Sequence, residues 1–85
     1  MTELNLTEIT AALKKEISII TGKKPEDLKE TESLSFNGIN SMGFVELLLS
    51  INRLWGINLL DAGISISDVV SIAALAEKIK QEAAH

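Results

Sequence analysis

The sequence SMGFVELLLSINRLW, residues 41–55, predicts an amphipathic helix at the centre of the chain. At about 100° per residue, its larger apolar side chains fall on one continuous face. That face is expected to pack into the core, and Gly56 follows at a position where a left-handed residue commonly ends a helix. The residues of this core face are Phe44, Leu47, Leu48, Ile51, Leu54 and Trp55.

A second apolar stripe runs along the same helix, roughly on the opposite side, and consists of Met42, Val45 and Leu49. One bundle core cannot bury both stripes, because they point in different directions from the helix axis. Two interpretations remain open at this point. Either the helix is packed on two sides, or the second stripe is an exposed apolar strip that docks other proteins.

The first helix is predicted over residues 6–21. Asn5 and Glu8 form a capping box before it, in which two side chains satisfy free backbone N–H groups. Gly22 suits the left-handed position after its last turn. The apolar residues that recur at helical spacing are Ile9, Leu13, Ile17 and Ile20.

A long polar connection, KKPEDLKETESLSFNGIN, is predicted over residues 23–40. A connection of this length between helices is uncommon unless it has a function of its own. Leu28, Leu34 and Phe36 are expected to hold it against the core.

Two further helical segments are predicted after Gly56. A short helix is expected at residues 65–70, and a last helix at 72–83 with Ser71 as its N-cap. The predicted fold class is therefore all-α. It is a single domain, residues 1–85, built as a small up-and-down bundle of three longer helices plus one short helix.

Composition and charge exclude several classes of protein. The chain has 85 residues, a net charge of −4 and no cysteine. The negative charge argues against nucleic-acid binding, and no apolar run is long enough for a membrane span. Without cysteine there is no disulfide framework, no Cys-based zinc site and no thiol nucleophile. We expect a cytoplasmic monomer that is freestanding, with a domain excised from a longer chain as the open alternative.

The start of the central helix carries a short motif, Gly38-Ile39-Asn40-Ser41-Met42. Taken alone, Ser41 is predicted to be an N-cap, the commonest role of a serine at such a position. The context adds weight to the motif, because a long loop ends in it and an apolar helix follows it.

With this motif the sequence resembles the acyl and peptidyl carrier protein family, whose signature is Gly-x-Asp-Ser-Leu/Met. The resemblance covers the chain from the first helix to about Ile79. It continues through Val45-Glu46-Leu47, through Trp55-Gly56-Ile57, and through Ser71-Ile72 with Leu75 and Ile79.

The resemblance implies a carrier function and no catalytic activity of the chain's own. A phosphopantetheinyl transferase would attach 4′-phosphopantetheine, taken from coenzyme A, to Ser41. An acyl-loading ligase or transferase would charge the thiol of that arm, and downstream synthase or transferase enzymes would use the thioester. The resemblance assigns transferase recognition to Asn40 and Met42, and it assigns partner docking to Met42, Val45, Glu46, Leu49 and Arg53.

The sequence departs from the family in two respects. Asn40 replaces the usual Asp before the serine, which puts recognition by some transferases in doubt. Gly43, Asn52 and Arg53 stand where fatty acid synthase carriers have acids, and only Glu46 is retained. Because charge on a docking face governs partner choice, we expect a specialised lipid or polyketide-type pathway rather than general fatty acid biosynthesis.

Two alternatives stay open. Ser41-Met42-Gly43, followed by Val45 and residues 47–49, is also similar to D-alanyl carrier proteins, so the cargo could be an amino acid or a peptide. The other alternative is a helical interaction domain that carries no arm.

Overall fold

The computed structural model describes residues 5–61 and 63–83, and within these ranges the chain is helical without any strand. Helix α1 spans Leu6–Thr21, α2 spans Ser41–Trp55 and α3 spans Ile72–Ala83. The all-α class and the three longer helices are confirmed. The predicted domain span of 1–85 also includes residues 1–4, 62, 84 and 85, which lie outside the described ranges.

The predicted short helix over residues 65–70 is reduced to a single 3-10 turn, Ile66–Asp68. The Asp68 carboxylate accepts hydrogen bonds from the backbone N–H of Ser65 at 2.8 Å and from its hydroxyl at 3.0 Å. These bonds, the backbone one foremost, lower the pKa of Asp68. Val69 then takes an extended conformation that suits its β-branched side chain. Residues 5–61 and 63–83 therefore form three α-helices and no fourth.

The boundaries of α1 follow from its end residues. The side-chain oxygen of Asn5 accepts from the backbone N–H of Glu8 at 2.8 Å, which confirms the predicted cap. In a complete capping box the Glu8 carboxylate would accept from the backbone N–H of Asn5. Here it accepts from the side-chain amide of Asn5 at 3.1 Å instead. Gly22, at φ 79°, ends the helix in the left-handed conformation.

One apolar core lies between the three helices and the two long connections. The α2 core face contributes Phe44, Leu47, Leu48 and Ile51 to it. Of the residues predicted for α1, Ile20 is only partly buried and packs against this core. The connections add Leu28, Leu34, Ile39, Leu59 and Val69. The other buried apolar residues are Ile9, Leu13 and Ile17 of α1, and Ile72, Leu75, Ala76 and Ile79 of α3.

Two predicted core residues lie on the surface instead. Leu54 is 44% exposed, because it lies at the edge of the buried face in the last turn of α2, and Trp55 beside it is half-buried. Phe36 is 60% exposed, because the connection turns inward at Leu34 and at Asn37 and leaves the two residues between them outside. No helix in the described ranges has the length and apolarity that a membrane crossing requires.

Candidate functional site

Ser41 is the first residue of α2 and is exposed. The N-cap is Asn40, whose side-chain oxygen accepts from the backbone N–H of Gly43 at 2.8 Å. The prediction that Ser41 caps the helix is therefore wrong by one residue, because Asn and Ser are both good caps and the helix begins after the Asn. Within the described residues the Ser41 hydroxyl has no hydrogen-bond partner, so it is available for chemistry.

The backbone at the start of α2 favours a negatively charged group on Ser41. Gly43 and Phe44 donate their N–H groups to Asn40, while those of Ser41 and Met42 have no partner among the described residues. The first turn of α2 contains no acidic residue. Free N–H groups and the positive end of the helix dipole both stabilise an anion at this position.

The Ser41 hydroxyl lacks the partner that a serine nucleophile needs. An enzyme activates such a hydroxyl with a hydrogen-bonded base, and no such base contacts Ser41 in residues 5–61 and 63–83. In the same ranges no cluster of three or more His, Cys, Asp or Glu residues could hold a metal ion.

Gly43 is buried where α2 packs against Ile20 of α1. A Cβ atom at this position would lie 3.3 Å from Ile20 Cγ2 and 3.4 Å from the capping oxygen of Asn40. A larger side chain would disturb both the helix packing and the cap. The missing acid at residue 43 therefore has a structural cause, and Gly43 does not belong to the exposed face of α2.

The second apolar stripe of α2 is exposed. Met42 is 78% exposed, Val45 45% and Leu49 55%, and Glu46 beside them is exposed as well. Of the two interpretations from sequence, packing on two sides is excluded for the described chain. The exposed strip (Met42, Val45 and Leu49) begins next to Ser41 and is open to contact with another molecule.

Arg53, also predicted to lie on the docking face, is exposed but engaged with α1. One of its guanidinium nitrogens, Nη2, lies 2.9 Å from Glu16 Oε1, and the Glu16 side chain is only 12% exposed. Sequence reasoning missed Glu16, because the two residues are 37 positions apart and nothing local signals the pair. Part of the positive charge of Arg53 is therefore offset within the chain.

A buried amide in the connection before Ser41 was also missed. Asn37 is 1% exposed, and its side chain bonds to the backbone of Lys29 and Ser33. An Asn before a Gly in a polar segment ordinarily predicts an exposed turn, so the sequence contains no signal for its burial.

A scan against models of known protein families and a search of curated proteins found no match to this chain. Its function is therefore inferred from the residues around Ser41 and their geometry.

Proposed function

We propose that the protein is an acyl carrier that holds its cargo as a thioester on 4′-phosphopantetheine attached to Ser41. The observation that supports this most strongly is the exposed Ser41 hydroxyl at the start of α2, with the capping done by Asn40. A hydroxyl used for capping would be engaged with the backbone. Here the hydroxyl is exposed at the first residue of α2 and has no partner among the described residues.

The residues around Ser41 fit the proposed arm. A phosphodiester on the serine oxygen would lie beside the free N–H groups of Ser41 and Met42, at the positive end of α2. The arm, when bound, supplies the thiol that the chain lacks, since the sequence has no cysteine. The chain itself contributes the attachment oxygen, the anion-stabilising helix end and a surface for partner enzymes.

The resemblance to carrier proteins implies how the arm would be attached. The Ser41 oxygen attacks the β-phosphorus of coenzyme A, a new O–P bond forms, and the pyrophosphate bond breaks to release adenosine 3′,5′-bisphosphate. Mg²⁺ would offset the charge on the pyrophosphate. The serine proton passes to a base of the transferase, since no base is hydrogen-bonded to Ser41 in the described chain.

The surface of α2 favours specialised partners over general fatty acid synthase enzymes. Its exposed strip is apolar, the carboxylate of Glu46 lies beside the strip, and the guanidinium group of Arg53 is paired with Glu16. Such a face offers contact area more than charge attraction, and steering by a strongly basic enzyme would be weak. We place the protein in a lipid or polyketide-type pathway, acting as a cytoplasmic monomer with loading and synthase enzymes.

An amino acid cargo, as in D-alanyl or peptidyl carriers, is the alternative within the same chemistry. Gly43 contributes to that likeness, but its burial against Ile20 already accounts for the glycine. We therefore propose an acyl group as the cargo in preference to an amino acid.

The test is intact-protein mass spectrometry after incubation with coenzyme A, Mg²⁺ and a broad-specificity phosphopantetheinyl transferase. We expect the wild type to gain one phosphopantetheine and Ser41→Ala to gain none. Because Ser41 is exposed and is not the cap, this substitution should change the free energy of unfolding by no more than about 0.5 kcal/mol. A wild type left unmodified by several transferases would favour the arm-free interaction domain.

A further inference from the structure

The connection that leads to Ser41 is built around one buried side chain, Asn37. Its oxygen accepts from the backbone N–H of Lys29 at 2.7 Å. Its amide nitrogen donates to the carbonyl oxygens of Lys29 and Ser33, both at 2.9 Å, with a longer contact of 3.4 Å to that of Glu32. Both the oxygen and the nitrogen of this amide are therefore bonded to the backbone of the connection, and both N–H donors are used.

These bonds close residues 29–39 into one unit. The Asn37 amide pairs with both backbone groups of Lys29, eight residues earlier, as a neighbouring strand would. Within the closed segment, Phe36 donates its N–H to the Ser33 hydroxyl at 3.0 Å. Ile39 donates its N–H to the Leu34 carbonyl at 2.9 Å. The backbone is thus fixed up to the second residue before Ser41.

The unit is also fastened to the helices. The Glu30 carbonyl accepts from the N–H of Ala73 in α3 at 3.0 Å. The Glu30 carboxylate lies 3.1 Å from the ammonium of Lys14 in α1. Leu34 and Ile39 are buried in the core. A movement of the segment around Asn37 would therefore be transmitted to the first residue of α2.

We propose that Asn37 is a positioning residue for Ser41, which rests on the proposed function of Ser41 as the attachment site. By holding residues 29–39 in one arrangement, it sets where the Ser41 oxygen stands when a transferase is bound. A reacting atom displaced by about 1 Å can lose a factor of about 100 in rate. Asn37 touches neither the coenzyme nor the reacting atoms, so it acts through the backbone alone.

The substitution that tests this is Asn37→Asp. It keeps the size of the side chain and the acceptor for the Lys29 N–H, but it loses both donors to the Lys29 and Ser33 carbonyls. The measurement is kcat and KM for arm attachment, with coenzyme A, Mg²⁺ and a broad-specificity transferase. We expect kcat to fall about tenfold or more, and KM for the carrier to change little, because the exposed strip of α2 is untouched.

A merely structural role would give a different pattern. Loss of folded protein would raise the apparent KM for the carrier at unchanged kcat, and sucrose, which favours the folded state, would restore the wild-type value. The matched control is Asn5→Ala, which removes the side-chain cap of α1. Asn5 lies at the opposite end of α1 from Ile20, which contacts Gly43, and the two ends are about 20 Å apart. Its kcat should equal that of the wild type.

A milder variant keeps the proposal testable if Asn37→Asp does not fold. Ser33→Ala removes only the acceptor of the Phe36 N–H, and it should lower kcat by a smaller factor without unfolding the chain. If the wild type accepts the arm and every folded variant of this unit keeps its kcat, Asn37 is not a positioning residue. If the wild type accepts no arm at all, it is the proposed function that fails.

Discussion

The two apolar faces of α2 have similar residues and opposite surroundings. On the core face, apart from Leu54 and Trp55 in the last turn, no side chain is more than 5% exposed, whereas on the strip exposure runs from 45% to 78%. The core face stabilises the fold through burial of roughly 25 cal/mol for each Å² of apolar surface. The strip residues keep 45–78% of their surface exposed, so burial within the fold does not fully explain why they are apolar. We propose that contact with other proteins accounts for it.

The largest difference between the faces should appear in stability. Ile51→Ala opens a cavity at a fully buried site and should lower the free energy of unfolding by about 2–5 kcal/mol. Leu49→Ala, two residues away on the exposed strip, should change it by no more than about 0.5 kcal/mol. Chemical denaturation of both variants measures the contrast. Equal losses would mean that the assignment of the two faces is wrong.

The reverse contrast should appear in docking. Leu49→Ala should raise KM for the carrier in arm attachment, or in loading by a partner enzyme, and leave kcat unchanged, because it removes contact area and not a reacting group. A KM equal to that of the wild type with every enzyme tried would remove the docking role of the strip.

A smaller effect is expected at Arg53, on the rim between α2 and α1. From the sequence alone, Arg53→Glu should leave stability nearly unchanged, but the structure places Glu16 opposite it. Two carboxylates would then repel each other, and because Arg53 is 68% exposed the cost should stay below about 1 kcal/mol.

The neutral variant Arg53→Gln separates repulsion from the loss of the ion pair. The stability difference between the Glu and Gln variants should shrink at high salt, which screens exposed charges. A difference that persists in high salt would contradict the electrostatic explanation. Docking to basic fatty acid synthase enzymes should nevertheless improve in Arg53→Glu, because a repulsive charge is removed.

The smallest effect on stability is expected at Asn40. Asn40→Asp keeps the oxygen that accepts from Gly43, and Asp caps helices as well as Asn does. The change should appear instead as faster arm attachment by transferases specialised for fatty acid synthase carriers, since charged hydrogen bonds are roughly twice as strong as neutral ones.

Asn5→Asp makes the same substitution at the cap of α1 and serves as the control. Initial rates for the three proteins decide the matter. If Asn40→Asp is modified no faster than the wild type, Asn40 does not weaken recognition by these transferases.

Local patterns predicted what depends on local causes. Helical spacing and end residues predicted the bounds of the three helices and most of the α2 core face. They also predicted the left-handed conformation of Gly22 and Gly56. The position of the α2 cap differed by one residue, because Asn40 and Ser41 are both suited to it. Helical angles placed the strip on the side opposite the core face. They could not decide whether it is exposed or packed, because the sequence of one helix does not show what lies against it.

What the sequence did not predict depends on contacts between distant segments. Gly43 is small because Ile20 of α1 lies against it. Arg53 finds Glu16, and Asn37 is buried because the backbone of Lys29 folds over it. Phe36 points outward for the same reason that Asn37 points inward. None of these pairs has a spacing that helical or turn rules describe.

The most direct test of the central claim is the site of modification in the wild-type protein. After incubation with coenzyme A, Mg²⁺ and a transferase, the chain is digested and its fragments are sequenced by mass spectrometry. All of the added phosphopantetheine should lie on Ser41 and none on Ser33 or Ser35, exposed serines of the preceding connection. An arm on another serine, or no arm on any, would contradict the account.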